Sequence, residues 1–189
     1  MAYTTLENVK TYLGIPTVTT SDDALITNLM QQSIDFIDRY VGYKFESFSD
    51  TRYFESNCII ELSLLLDYPL LSISTLTNGD STTILSSQYR LYPLNSEAKW
   101  EIGFKSTSTV FWNFTNYDDV IAVAGAWGLF SSCPSEITHI SNRLAAYLYR
   151  QKDNTGDLDR TVALASGYLL PQNLPNDLMQ VLNKYRRIR

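Results

Sequence analysis

Histidine is nearly missing from this 189-residue chain, which has one, His139, and cysteine is nearly as scarce, with only Cys58 and Cys133, far apart. A histidine-based metal site or a Ser-His-Asp triad would hang on that single position. It falls in an expected helix, where a packed or solvated imidazole is the ordinary outcome. The two cysteines have no metal-ligand spacing, and a cytoplasm would keep them reduced, so both read as packing residues. No apolar run approaches the roughly 20 residues of a membrane span. The start, Met1-Ala2-Tyr3-Thr4, lacks the charged and apolar regions of a signal peptide, so a soluble protein made in a cytoplasm is expected, without a membrane partner.

Phosphate-binding glycine patterns are missing too. Gly79 and Gly125-Ala126-Trp127-Gly128 fit neither GxGxxG nor a Walker motif with its lysine, which excludes the common nucleotide cradles. No nucleophile, base and orienting group stand at a recognisable spacing. The acid pairs have structural readings: Asp22-Asp23 suits the first turn of a helix, and Asp118-Asp119 suits a turn before a strand. Asn113-Phe114-Thr115 matches a glycosylation sequon, a chance match where no secretory signal precedes it. The expectation is a protein that is not an enzyme, with no catalytic residue, no metal ligand and no cofactor.

What the chain does have is an uneven charge. Residues 1–50 carry seven acids and three bases, residues 51–142 nine and four, and residues 143–189 four and eight. The last quarter is net positive on an otherwise acidic protein, which points to a complementary partner or to head-to-tail self-association. An acidic body with no basic stripe does not read as a DNA-binding domain, because it repels phosphates rather than releasing their counterions. Thirteen Tyr, eight Phe and three Trp serve a β-rich core or contacts between subunits.

The order of elements is helical, then β, then helical. Thr5 reads as the N-cap of a short helix with Leu6, Val9, Tyr12 and Leu13 on one face, ended by Gly14 and Pro16. Ser21 or Asp22 caps a longer helix whose stripe is Leu25, Ile26, Leu29, Met30, Ile34, Ile37 and Val41, ended by Gly42, with Asp35 and Arg39 as a surface pair. From Thr51 the period changes. Strands are expected at residues 52–55, 59–62 and 70–76, and Asn78-Gly79 predicts a type I′ hairpin pairing residues 70–77 with Thr82 to Leu85. Further strands are expected at Tyr89 to Tyr92, Lys99 to Phe104, Thr109 to Phe114 and Val120 to Ala124. Pro134 opens a helix with Ile137, Ile140, Leu144, Tyr147 and Leu148 on its apolar face. Residues 161–170 have weak periodicity and stay open between a short strand, a helix turn and a loop that orders on assembly. Pro175 or Asn176 starts the last helix, with Leu178, Val181, Leu182 and Tyr185 on one face. The fold class is α+β: a bundle of N- and C-terminal helices, with an antiparallel sheet or small barrel of roughly six to eight strands inserted between them.

In this order the pieces resemble the bacteriophage head-tail connector family, the adaptor or head-completion proteins that form a ring beneath the portal. Four stretches carry the resemblance. The first is Thr5-Leu6-Glu7-Asn8-Val9-Lys10-Thr11-Tyr12-Leu13-Gly14-Ile15; the second runs from Asp22-Asp23-Ala24-Leu25 to the aromatic exit Tyr40-Val41-Gly42-Tyr43-Lys44-Phe45. The third is Val120-Ile121-Ala122-Val123, Gly125, Trp127-Gly128 and Pro134, then Leu144 through Tyr147-Leu148 to Arg150. The fourth is the proline-capped terminal helix ending in Leu182, Tyr185 and Arg186. The departure is in the middle, where many such adaptors have a shorter connection than residues 51–119.

The resemblance implies one connector domain over residues 1–189, with a helical frame at 1–48 and 134–189 and a β insertion at 50–128. It implies a ring of about twelve subunits, docked on the portal and followed by the next tail-completion or stopper protein. DNA would pass through the lumen without sequence-specific binding. The place would be the head-tail interface of a virion, reached through the host cytoplasm during assembly. Docking would fall to residues 174–189, with Leu178, Val181, Leu182 and Tyr185 as apolar anchors and Arg186, Arg187, Ile188 and Arg189 at the tip; the arginines would meet portal carboxylates. Partial proteolysis of the free protein is expected to cut first within residues 153–172, ahead of that tail. A tail-completion or stopper protein is the nearest alternative. A carbohydrate-binding β module, with Tyr89, Tyr92, Trp100, Trp112 and Tyr117 as a stacking platform, is a more distant one.

Overall fold

A computed structural model describes residues 3–116, 119–151, 161–163, 169–171 and 176–186. In chain order the elements are α1 (Leu6–Leu13), α2 (Asp23–Val41), β1 (Phe48–Phe54), a 3₁₀ turn (Ser56–Cys58), β2 (Ile59–Ile60), β3 (Ser63–Thr77), β4 (Tyr89–Tyr92), β5 (Lys99–Phe104), β6 (Ile121–Trp127), α3 (Ser135–Gln151), β7 (Thr161–Ala163), β8 (Leu169–Pro171) and α4 (Asn176–Tyr185). They fall into two compact units: residues 1–42 with 133–189, and residues 43–132.

The helical unit follows from apolar period and caps. The Thr5 hydroxyl accepts from the Asn8 backbone N–H at 3.2 Å, which satisfies one of the orphan donors at the start of α1. Gly14 and Gly42 take left-handed conformations at the ends of α1 and α2, the αL closure that glycine adopts without a Cβ penalty. Val9, Ile26, Met30 and Ala145 bring α1, α2 and α3 onto one core. Burying each of the larger aliphatic side chains stabilises the unit by about 1.5–3 kcal/mol. Leu25, expected on the buried stripe, is 39% exposed, and Ser33 takes a buried place instead. Asp35 accepts from Gln31 at 2.8 Å, one turn back along the helix. Residues 161–163 pair with 169–171 as a two-stranded antiparallel ribbon.

The unit's least expected feature is a buried lysine. Lys10 is on the first helix, yet its ammonium donates to the carbonyls of Thr17 and Thr19 at 3.0 and 2.5 Å and to Asp23 at 2.7 Å. Three acceptors compensate the desolvation of a buried charge. The lysine thereby pins the 15–22 connection to the start of α2. The Asp22-Asp23 pair is used structurally, since Asp22 accepts from the Tyr149 hydroxyl.

In the β unit, six strands make an open antiparallel sheet of order β1-β6-β3-β5-β4, with β2 paired to β3 off that path. Strand β3 is twice as long as the expected 70–76. Its first part pairs with β5 and its second with β6, and the register shifts between Leu65 and Leu70. Pro69 lies in that gap, where a residue without an N–H breaks the ladder least. The core gathers Phe54, Leu64, Leu70, Leu76, Ile102, Ile121, Val123 and Trp127 from four strands, β1, β3, β5 and β6.

Two expectations are corrected here. Neither Asn78 nor Gly79 has a positive φ; the left-handed residue is Ser81, at φ 65, and the turn closes through Ser81 N–H to Asn78 C=O at 2.9 Å. The hairpin therefore has a wider loop than a type I′ turn, with a single bridge between Thr77 and Thr83. Asn78 is buried because its side chain does other work: it donates to the Phe111 carbonyl at 2.9 Å and accepts from Gly79 and Asn113 N–H groups at 3.1 Å. That explains the second correction. Residues 109–114 alternate as a strand would, with Val110, Trp112 and Phe114 against the core and Phe111 62% exposed. Their polar partners include the Asn78 amide and the Leu62 carbonyl, and no ladder forms.

Candidate partner-docking segment

The charged last quarter of the chain points to α4. Asn176 and Asp177 open it, and the apolar residues at i and i+4, Leu178 and Leu182, are buried against the rest of the helical unit, 4% and 1% exposed. These two anchors are consumed inside the chain, seating α4 alongside α2. Val181 and Tyr185 are half-buried, and Arg186 is exposed. Arg187, Ile188 and Arg189 lie outside the described residues.

Polar contacts hold α4 along its length. The Arg143 guanidinium on α3 donates to Asp177 and holds that carboxyl below the usual carboxylate range. Asp177 is exposed and Arg143 half-buried, so the pair is partly screened and positions the helix more than it stabilises the fold. The Tyr40 hydroxyl on α2 donates to Asn183 at 2.6 Å, and Arg186 lies over the Tyr40 ring, 5.2 Å from its centre. The Tyr185 hydroxyl donates to Glu136. Burial, then that hydrogen bond and the carboxylate's charge, pushes the phenol up to about 12. Tyr40, Glu136 and Arg143 were not singled out in the sequence as anchors, because contacts between helices 34 to 143 residues apart leave no periodic signal. The chemistry available is recognition by charge and shape. Within the described residues, no group of three or more His, Cys, Asp or Glu side chains is placed to hold a metal ion.

The residues of the other reading are scattered. Trp100 stands edge-on to Tyr43 at 5.3 Å, and Trp112 packs on Phe104 at 4.5 Å and donates its indole N–H to Leu62 C=O. Tyr89 packs against the β core, and Tyr117 lies outside the described residues. Tyr89, Tyr92, Trp100 and Trp112 are all half-buried, as rings of a core and its rim are. His139 stands edge-on to Tyr12, 6.0 Å between ring centres. No described helix is long and apolar enough to cross a membrane. The expected cleavage region, residues 153–172, lies mostly outside the described residues.

Residues 3–66, from the start of the helical frame into β3, match the family model described as Phage gp6-like head-tail connector protein. The resemblance to head-tail connectors holds. The fold of the connector-like chain extends the likeness beyond those residues. It superposes on a chain of the neck of an empty GTA particle computed with C6 symmetry, with TM-score 0.66 and 14% identity, covering 97% of this chain and 89% of the other. A chain of the neck of a native GTA particle computed with C12 symmetry gives 0.64 and 14%, covering 97% and 88%. A chain of the virion of a native gene transfer agent particle gives 0.63 and 13%, covering 97% and 89%. No curated protein matches. At such coverage the β unit is part of the shared fold. The connector-like start, the helical frame and the inserted sheet recur together.

Proposed function

We propose that this chain is a structural head-tail connector of a phage-like virion, an adaptor subunit that assembles in a ring of about twelve copies, as in the neck computed with C12 symmetry. The observation that carries the reading is the agreement of two comparisons: a connector family matched by the first third of the chain, and a neck fold shared over 97% of it. In this reading the whole chain acts as one connector domain, with its sheet inserted in a helical frame.

The ring sits under the portal at the head-tail interface, continues the DNA channel, and meets a tail-completion or stopper protein on its far side. Assembly takes place in the host cytoplasm. The C-terminal segment docks on the portal. Leu178 and Leu182 seat α4 on its own subunit, so the groups left to a partner are the outer edge of Val181 and Tyr185, Arg186, and the basic tip Arg187, Ile188 and Arg189. Helix α4 is a preformed platform for that tip, which lowers the ordering cost on docking. DNA passes an acidic body that offers phosphates no counterion-releasing surface.

Removing the gene from the particle that encodes this chain tests the role. A connector predicts filled heads and separate, finished tails in the same lysate. Normal tailed particles would refute it, and heads that bind the portal-proximal ring yet leak DNA would move the assignment to a stopper.

A further inference from the structure

The formal charge of -5 resides in the β unit: residues 43–132 carry ten acids and five bases, whereas the helical unit has ten of each. Within the β unit one acid stands apart. Strands β2 and β3 are joined by a two-residue turn, Glu61-Leu62, closed by the Ile60–Ser63 pair. Glu61 is exposed, with φ 57, and its carboxylate has no partner among the described residues. A left-handed first position is the place of glycine in a type II′ turn, so a glutamate there costs stability.

The same turn displays apolar side chains. Ile60 is 58% exposed and Leu62 50%. Leu65, 40% exposed, stands two residues beyond Ser63 and so shares a face with Ile60 as its diagonal neighbour. The opposite face is the core side, where Leu64 and Ile102 are fully buried. The neighbouring bases are turned elsewhere. Lys105 follows the Phe104 whose N–H meets Leu62 C=O, and its ammonium donates to the Ser86 and Ser87 carbonyls at 3.2 and 2.7 Å. Arg90, on β4, lies diagonal to Glu101. A hairpin tip that spends stability to hold an acid between two exposed aliphatic side chains marks a contact surface.

Its complement is on the same chain. Arg186, which lies over Tyr40, is followed by Arg187-Ile188-Arg189: base, aliphatic, base. The hairpin reads Ile60-Glu61-Leu62: aliphatic, acid, aliphatic. Tip and hairpin belong to different units, so each copy carries both halves of a heterologous contact. We propose that, until the portal is met, the 187–189 tip of one copy docks on the 60–62 hairpin of another, Ile188 against Ile60 and Leu62 and the arginines around Glu61. This rests on the connector reading only for what ends the contact, since portal carboxylates compete for the same arginines. One exposed carboxylate and a small apolar patch make the association weak and salt-sensitive, so the tip is covered in the free protein and readily released.

Sedimentation velocity of the free full-length chain, from low to high salt, reads the contact. Glu61→Arg changes an exposed side chain, and circular dichroism checks that the fold is kept. It is expected to weaken association about tenfold, and Arg187→Glu with Arg189→Glu in the same chain to restore it. Glu61→Gly should also weaken association while raising the denaturant midpoint, which separates a contact residue from one that only shapes the turn. Mixing shows that the contact runs between copies. The Glu61→Arg chain keeps its tip and a version ending at Arg186 keeps its hairpin; at a concentration where the parent associates, each should stay apart and the two should pair when combined. A parent that is monomeric at every concentration, an association that ignores Glu61→Arg, or a mixture that does not pair would overturn the contact. On the portal ring, imaged by electron microscopy, Glu61→Arg is expected to dock like the parent. Its failure to dock would hand the hairpin to the portal and overturn the proposal, whereas the connector reading falls separately, if the parent itself leaves the portal bare.

Discussion

The helical unit and the β unit differ in what holds them together. The helices bury a periodic apolar stripe and add side-chain ties between elements, such as Tyr3 to Asp38, Thr4 to Asn142 and Tyr149 to Asp22. The sheet holds one larger core built from residues far apart in sequence, with irregular segments fastened to it by single groups such as Asn78 and Trp112. Local pattern thus sets the helices of the first unit, whose core then joins both ends of the chain. In the second, the strands and irregular segments themselves take their form from pairing with distant partners. All three tryptophans, Trp100, Trp112 and Trp127, lie in the β unit, while the described α-helices all belong to the other. Fluorescence and helical circular dichroism therefore report on different units.

The largest expected effect that would break this contrast comes from Trp127, which is fully buried, stacks near Phe54 at 6.3 Å and donates to Asp50 C=O at 3.0 Å. Trp127→Ala is expected to destabilise the β unit by about 3–5 kcal/mol. In denaturant, the emission change of Trp100 and Trp112 then moves to lower concentration, and the helical signal at 222 nm moves less. Ile37→Ala, at a fully buried α2 position, should do the reverse by about 2–5 kcal/mol. Equal movement of both signals in both variants would mean that the two cores unfold as one.

Next in size are two positions inside the sheet. A Cβ on Gly125 would stand 2.1 Å from the Ser72 carbonyl oxygen, backbone that cannot rotate away. Gly125→Ala is expected to cost about 2 kcal/mol or more in chemical unfolding. Asn78→Ala strips partners from Phe111 C=O and from the Gly79 and Asn113 N–H groups, for an expected loss of about 1–3 kcal/mol. Hydrogen exchange at residues 111–113 should rise with it; unchanged protection there would show that the segment is held by its apolar contacts alone.

The smallest effect lies at the join of α4 to α3. The folded state raises the Tyr185 phenol from 10.0 to about 12. A raised pKa contributes stability that is complete below about pH 10 and is lost as pH climbs towards 12. Tyr185→Phe should flatten the fall of helical stability across that window. Loss of the same slope in both proteins would place the titration elsewhere.

How much of this was legible beforehand follows the same divide. Helix caps at Thr5 and Gly14, the break at Gly42, and the strands at 89–92 and 99–104 sit where the pattern places them, because each is set by residues within a few positions. The segment at 109–114 misled for a physical reason. Alternation records which side chains face a core, and it does not record whether the backbone finds a ladder. Asn78 misled in a similar way, since Asn-Gly reports turn propensity, whereas a buried amide with three partners overrides it. Within the candidate docking segment, the helix and its apolar spacing were readable. That Leu178 and Leu182 are spent inside the chain, and that Tyr40, Glu136 and Arg143 hold α4, depends on helices brought together from both ends of the sequence.

The most direct measurement of the central claim is electron microscopy of the portal ring from the same source mixed with the intact chain, beside a version ending at Arg186. The shorter version keeps the contacts of Tyr185 and Arg186 within the chain and removes only Arg187, Ile188 and Arg189. A connector docking through its tail predicts an added ring on the narrow end of the portal with the intact chain and its loss with the shortened one. A portal left bare by the intact chain would contradict the account.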